Sequence, residues 1–399
     1  MPSPHNAATI RQLLNRIKAE AGSHSPSVET ILRELPELEL RFDACYLANP
    51  YATNLFLQHF MTDVVGTPRL RRLIEHYPSQ NAPLARQVAQ QLQVDPATIF
   101  LGNGATEIIQ AILHNFCQGS LLINLPTFSP FYEFAPPGTR VIYHHLQKEA
   151  DFQLDVAAYL TLVDQEKPDT VVLINPNNPD GGYLASATLR MLLTALRTVP
   201  NVILDTSFAH FASEHEGLDL LSFTHLTQEF NNLIILKSMS KDYGIAGVRA
   251  GYALMAPEKV QRLLGNGYLW NISGLAEYFW ELWSDGDFMQ AYDQARIRYI
   301  RDTQQFWQHL RTIPGLHVYP TKANFVLLEL RNGMSSFDFV SQLLIQHGIY
   351  TRDCADKKGL VGEFVRIGAR SAAENAAIVE AIADICEEHD GGASGTVGQ

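Results

Sequence analysis

The sequence predicts an α/β protein whose mostly parallel sheet is covered by helices on both faces. Three observations carry that expectation. Short apolar runs, SLLINL (120–125), TVVLIN (170–175), NVILD (201–205), LIILK (233–237) and RAGYALM (249–255), read as buried strands bounded by Gly, Pro and Asn. From about residue 84 onward helical stretches alternate with these runs. The chain has 399 residues, 46% apolar and 18% charged, which suffices for one large domain and a smaller one, each with a buried core.

Taken in order, the first forty residues look helical, with Ile10, Leu13, Leu14 and Ile17, then Ile31, Leu32 and Leu35, at helical spacing. A long polar helix is expected around 286–310. Beyond it HVYP, NFVLLEL and EFVRIG read as strands, alternating with helices at 335–347 and 372–388. This is a second α/β unit. The Gly-rich end, EEHDGGASGTVGQ, reads as disordered. The expected division is therefore 1–65 as an N-terminal helical arm with part of the small domain, 66–285 as the large domain, 286–390 as the small C-terminal domain, and 391–399 as a disordered tail.

Charge and cysteine content narrow the function. A net charge of −12 argues against nucleic acid, whose binding draws on clustered Lys and Arg. The patch Arg69-Leu70-Arg71-Arg72 reads as a solvated helix face. Cys45, Cys117, Cys354 and Cys386 lie far apart without metal-ligand spacing, so neither a metal nor a disulfide framework is expected. The N-terminus lacks a signal-peptide layout, and no apolar run approaches the roughly 18 residues of a membrane span. A cytoplasmic protein without membrane partners is the expectation.

Four segments bear chemistry. In KSMSKDYGIAGVRAGY (237–252), Lys241 follows a strand, and a lysine is a nucleophile when its amine is partly neutral. The hydroxyls of Ser238 and Ser240 and the fork of Arg249 suit a phosphate dianion. Alone, the segment also suits a plain surface loop. In LGNGATEIIQAIL (101–113) a strand ends in Gly102-Asn103-Gly104 and a helix begins near Ala105 or Thr106, so free N–H groups face a potential anion. The loop INPNNPDGG (174–182) could simply build turns. In NVILDTSF, Asp205 closes a buried strand, where a carboxylate is costly unless it meets a cation.

In this order the four segments resemble the fold type I pyridoxal 5'-phosphate (PLP) enzymes of aminotransferase class I/II, and most closely histidinol-phosphate aminotransferase and threonine-phosphate decarboxylase. The likeness runs from roughly Tyr46 to Ile385. It implies a large domain built on a mostly parallel seven-stranded sheet, with a smaller α/β C-terminal domain. It also implies roles. Lys241 would carry PLP as a Schiff base and move a proton, and Asp205 would pair with the pyridine nitrogen as the second catalytic group. Asn178 would bond the ring hydroxyl, Phe128 would stack on the ring, and Gly104, Ala105, Thr106, Ser238, Ser240 and Arg249 would hold the phosphate. Tyr77, in EHYPSQNAP, would reach the phosphate of a neighbouring subunit, which implies a homodimer. Arg366, in EFVRIGARS, would grip the substrate carboxylate. Arg352, in IYTRDCADKKG, would help bind its distal anionic group, and Asn49, in LANPYATN, would line the substrate pocket.

Two departures stand out. Phe208 occupies the position where most relatives carry tyrosine, which removes one hydrogen bond to the ring oxygen, and Thr206 replaces the acidic residue that commonly follows the aspartate. Phenylalanine there, YPTKANFVLLEL and CAD…RSAAEN look more like threonine-phosphate decarboxylase, whereas the His-Gly-Gly segment expected near that enzyme's start is missing. With Lys241 and Arg366 both in place, the reading favours an aminotransferase acting on a small, phosphorylated or otherwise dianionic amino acid, with a 2-oxo acid as second substrate. Decarboxylation of O-phosphothreonine or O-phosphoserine is the alternative, and a non-catalytic PLP-binding protein a remote one.

Overall fold

The computed structural model describes residues 4–212 and 223–394. Two compact units emerge, one of Ala48–Asn178 with Gly182–Arg298, the other of Met1–Leu47, Pro179–Gly181 and Tyr299–Gln399. The division falls within the helix Gly286–Leu310.

The larger unit holds seven strands: β1 (Ile99–Asn103), β2 (Ser120–Leu125), β3 (Arg140–His145), β4 (Thr170–Ile174), β5 (Asn201–Asp205), β6 (Leu233–Ser238) and β7 (Ala250–Leu254). Their order is β1-β7-β6-β5-β4-β2-β3. From β6 to β3 neighbouring strands are parallel, and β7 runs antiparallel to both β6 and β1. The mostly parallel sheet matches the expectation.

Successive side chains of a strand point to opposite faces, so uninterrupted apolar runs imply that both faces are buried. Val171, Leu173, Val202, Leu204, Leu233 and Ile235 join one core with Leu84, Val88, Leu192, Trp280 and Trp283. The intervening Val172, Ile203, Ile234 and Leu236 join another with Ile108, Ile112, Val260 and Leu263. Parallel strands send their C-terminal ends to one edge, where sites of open α/β sheets form. Ile174 pairs with Asp205, and Asp205 with Leu236, so the loops after β4, β5 and β6 leave from matched positions.

A buried polar cluster fixes the chain just beyond β6. Lys237 and Asp242 form an ion pair with both side chains almost entirely out of solvent. The second partner of the same carboxylate oxygen is His210 Nδ1, at 2.8 Å. Burial alone would raise the Asp242 carboxyl, but Lys237 and His210 outweigh it and hold it below the usual range. Burial, reinforced by Lys237, drives His210 down to about 4, so the ring is neutral at pH 7 and donates its Nδ1 proton. Tyr292 stacks on Tyr243 at 4.0 Å beside this cluster.

The smaller unit has an antiparallel sheet of β8 (Leu316–Val318), β9 (Phe325–Leu330), β10 (Arg352–Asp353) and β11 (Phe364–Gly368), in the order β10-β11-β9-β8. A two-residue parallel pair joins Phe42–Asp43 to Ile349–Tyr350. The N-terminal helices Pro4–Ala21 and Val28–Glu34 bury Ile10, Leu14, Ile17, Ile31 and Leu35 against Leu344 and Tyr350. The expected disorder from 391 is corrected in part: the helix Ala372–Ser394 continues through Gly391 and Gly392, because propagation adds a hydrogen bond for each residue fixed. Residues 395–399 lie outside the described residues.

Removing Asp242 leaves the Lys237 ammonium buried without its carboxylate. Asp242→Ala is therefore expected to lower unfolding free energy by ~3–5 kcal/mol at pH 7, as read by urea titration. The depressed Asp242 and His210 values share one sign: their stabilisation is full near neutrality and fades as pH falls through the acidic range. The gap between wild type and variant should accordingly narrow on acidification.

Candidate active site

At the end of β1 the chain turns through Gly104, whose φ of +78° is costly for any residue with a Cβ. Gly104 caps the helix Ala105–Phe116 without a side-chain hydrogen bond, so the N–H groups of its first turn remain available to a ligand. Glu107 stabilises this turn from outside, accepting from the Asn103 N–H at 2.6 Å and from Asn271 Nδ2 at 2.9 Å. A Cβ on Gly104 would collide with the Arg249 guanidinium, with Cζ at 2.8 Å. Arg249 donates to the carbonyls of Ala246 at 3.1 Å and Asn103 at 3.3 Å. Gly104, Ala105 and Arg249 are thus brought together, and Thr106 stands exposed beside them.

A chain of hydrogen bonds links the ends of β5 and β6. Asp205 Oδ1 accepts from the Ser207 N–H at 2.8 Å, Ser207 Oγ from the Ser238 N–H at 3.1 Å, and Ser238 Oγ from the Ser240 N–H at 3.2 Å. Lys241 follows, half-buried, its carbonyl accepting from the N–H groups of Asn49 at 3.0 Å and Gly244 at 3.2 Å. Asp205 is buried, and that burial raises its carboxyl above the ordinary value despite the opposing Ser207 bonds and Lys237. A carboxylate in this condition gains from a cation placed against it.

The Asn-Pro loop is braced from several sides. Asn175 Nδ2 donates to the Leu184 carbonyl at 2.9 Å, and Asn175 Oδ1 accepts from the Leu184 N–H at 2.8 Å. Asn177 Nδ2 donates to the Pro126 carbonyl at 3.0 Å, which ties this loop to the turn carrying Phe128. Asn178 and Phe208 are buried. Phe128 is partly buried, edge-on to Phe131 at 6.5 Å. Asn49 is wholly buried, and its side-chain oxygen caps the helix Pro50–Asp63 through the Tyr51 N–H at 3.1 Å. Tyr77 is 83% exposed and packs on Trp270 at 5.4 Å.

The two predicted substrate arginines belong to the smaller unit. Arg352 and Arg366 are directly opposite each other in β10 and β11. Arg352 Nη2 lies 2.7 Å from both oxygens of Asp356 and 2.9 Å from the Ser23 carbonyl. Arg366 Nη2 donates to the Cys45 carbonyl at 2.7 Å. Sequence reasoning missed Ser207, Glu107 and Asp356. A polar residue two positions after Asp205, and an acid at the third helical position after Gly104, were the available signals for the first two.

Residues 58–382 match the family of aminotransferase class I and II. The chain belongs to that family. It is 48% identical over 379 residues to the L-serine phosphate decarboxylase of Campylobacter jejuni subsp. jejuni, covering 95% of this chain and 97% of the relative. It is 45% identical over 372 residues to the L-serine phosphate decarboxylase of Sulfurospirillum multivorans, covering 93% and 95%. A solved structure of a decarboxylase from Sulfurospirillum multivorans superposes with a TM-score of 0.91 at 44% identity, over 96% of this chain and 97% of that one.

This family's cofactor is PLP. The residues of the larger unit fit it: a buried carboxylate that lacks a strong cationic neighbour suits a pyridinium nitrogen, and an uncapped helix start beside Arg249 and two serine hydroxyls suits a phosphate. The expectation of an aminotransferase is corrected. The relatives at 45–48% identity across nearly the whole chain are decarboxylases. The physical reason is that the motifs read in the sequence, around Lys241, Asp205 and the Gly104 turn, are those expected of a PLP site, and both reactions use that cofactor. Which bond breaks depends on how the substrate is turned, and those motifs do not encode it.

Asp205→Asn keeps an acceptor for the Ser207 N–H and removes the buried charge. A carboxyl raised on folding costs stability above its folded pKa, so the cofactor-free variant should melt at or above wild type. Added PLP should raise its Tm by less than it raises that of wild type. Differential scanning calorimetry checks both orderings.

Proposed function

We propose that this chain is a PLP-dependent decarboxylase of L-serine phosphate, releasing carbon dioxide and leaving ethanolamine phosphate. The observation that carries this reading is the 48% identity, over nearly the full length of both chains, to a relative named for that activity. A second support is the pair of opposed arginines in the smaller unit, which suits a substrate with two anionic ends.

When bound, PLP supplies an electron sink for the pair left on the α-carbon as the carboxylate departs. Lys241 is the attachment point for the cofactor aldehyde, and its amine delivers the proton that replaces the carboxylate. Asp205 holds a positive charge on the ring nitrogen. Ser238, Ser240, Arg249 and the N–H groups of Ala105 and Thr106 bind the cofactor phosphate, with Gly104 allowing close approach. Asn178 would donate to the ring oxygen and Phe128 would stack on the ring, while Phe208 would offer that oxygen no donor. Arg352 and Arg366 hold the substrate's anionic groups, and Asn49 closes the pocket near Lys241.

A homodimer belongs to the same proposal. Tyr77, Trp270, Ile74, Leu57 and Met61 are exposed apolar side chains of the larger unit, and a second copy would cover them. Sedimentation equilibrium should give twice the chain mass.

The purified protein, supplied with O-phospho-L-serine, should release carbon dioxide at a rate independent of added 2-oxoglutarate. Glutamate formation that requires the phosphoamino acid would overturn the reading. Lys241→Ala should lower the rate by about 10³-fold, within the range of general acid–base and nucleophilic contributions. Borohydride should fix a pyridoxyl mass to wild type and not to this variant.

A further inference from the structure

The smaller unit concentrates positive charge beyond its two arginines. Like charges directly opposite on antiparallel strands repel, and Arg352 and Arg366 are such a pair. After β10 the chain folds back: the Lys357 N–H bonds the Cys354 carbonyl at 3.0 Å, and the Cys354 N–H bonds the Phe364 carbonyl at 2.9 Å. This turn returns a third cation, Lys357, to the neighbourhood of both arginines. Burial, then Arg352 and Arg366, drive its ammonium down to about 8.

The turn holds one carboxylate, Asp356, and its oxygens are already taken by Arg352 and by Lys18 Nζ at 2.7 Å. Burial would raise the Asp356 carboxyl, yet Arg352 and Lys18 hold it below the usual range, as expected of a carboxylate fully engaged by cations. Among the described residues, the Lys357 amine has neither a hydrogen bond nor an ion pair. Three partly desolvated cations clustered around one occupied carboxylate are costly to hold together, unless an anion of more than one charge completes them.

We infer that Lys357 is a specificity-determining residue, the third cation beside the two arginines and the one that joins Arg352 on the phosphomonoester group of the substrate. The inference rests on the decarboxylase reading and adds to it a residue that selects phosphorylated over unphosphorylated amino acids. Arginine forks supply fixed bidentate donors, and a lysine supplies a movable point charge that follows the phosphate. A neutral serine hydroxyl would bring no charge to Lys357, which has no carboxylate partner of its own among the described residues.

The test uses the full-length, PLP-loaded enzyme and its Lys357→Met, Lys357→Gln and Lys357→Arg variants. A charge-assisted hydrogen bond is worth ~1.5–3 kcal/mol, so KM for O-phospho-L-serine should rise about 10- to 100-fold in the Met and Gln variants, with kcat falling far less. Lys357→Arg should recover most of the loss. Titrating the cofactor absorbance with O-phospho-L-serine should shift in concentration by the same factor. A KM within about twofold of wild type in whichever neutral variant folds would overturn the inference. If wild type itself releases no carbon dioxide, the decarboxylase reading fails. The absorbance titration then still decides whether Lys357 binds the phosphoamino acid.

Discussion

Much of the larger unit is organised around one buried carboxylate. Asp205 ends β5 in the middle of the sheet, where desolvation works against its charge. Among the described residues Asp205 forms no ion pair of the kind that Asp242 makes with Lys237, although Lys237 acts on it from farther off. The fold instead binds Asp205 through the N–H and side chain of Ser207 and extends that contact through Ser238 to Ser240, one residue before Lys241. The position of Lys241 relative to the acid is therefore set by short backbone-to-hydroxyl bonds between adjacent strands. Side-chain networks of this kind are rigid when every member is satisfied.

The two aspartates sit in opposite electrostatic conditions. Asp242 follows Lys241 directly, yet its carboxylate turns to Lys237 and His210 and is held below its ordinary range. That pairing fixes the loop. Asp205 remains under-compensated, which is unfavourable for stability and is the condition that the pyridinium of the proposed cofactor site would relieve.

Much of this was legible in the sequence, because buried parallel strands advertise themselves as unbroken apolar runs. The five strands read that way lie at 120–125, 170–174, 201–205, 233–238 and 250–254. β3, at Arg140–His145, escaped: it is one edge of the sheet, its residues are exposed or half-buried throughout, and RVIYHH has only three consecutive apolar residues. Strand direction escaped too, since RAGYALM looks the same whether parallel or antiparallel, and β7 proved antiparallel. At the site, Lys241, Asp205 and the Gly104 turn were legible because local spacing defines them. The cluster of Lys237, Asp242 and His210 was not, because His210 reaches it from a separate segment of the chain. Nor was the reaction type, which depends on the orientation of a bound molecule.

Charge patterning completes the physical picture. At −12 overall, the chain should repel an anionic substrate at long range. Screening confines that repulsion to about 8 Å at physiological ionic strength, so local groups dominate at the site. The smaller unit packs Arg352, Arg366 and Lys357 into one short stretch of sheet and turn, with Asp356 as the carboxylate of that turn. Desolvation strengthens each of these charges toward a ligand while making them expensive to leave unpaired. An acidic surface with a small desolvated cationic site thus selects for anions that can shed their hydration against several fixed donors. The proposed substrate, an amino acid with a phosphate ester on its side-chain hydroxyl and a free carboxylate, would meet that requirement, and an unphosphorylated amino acid would not.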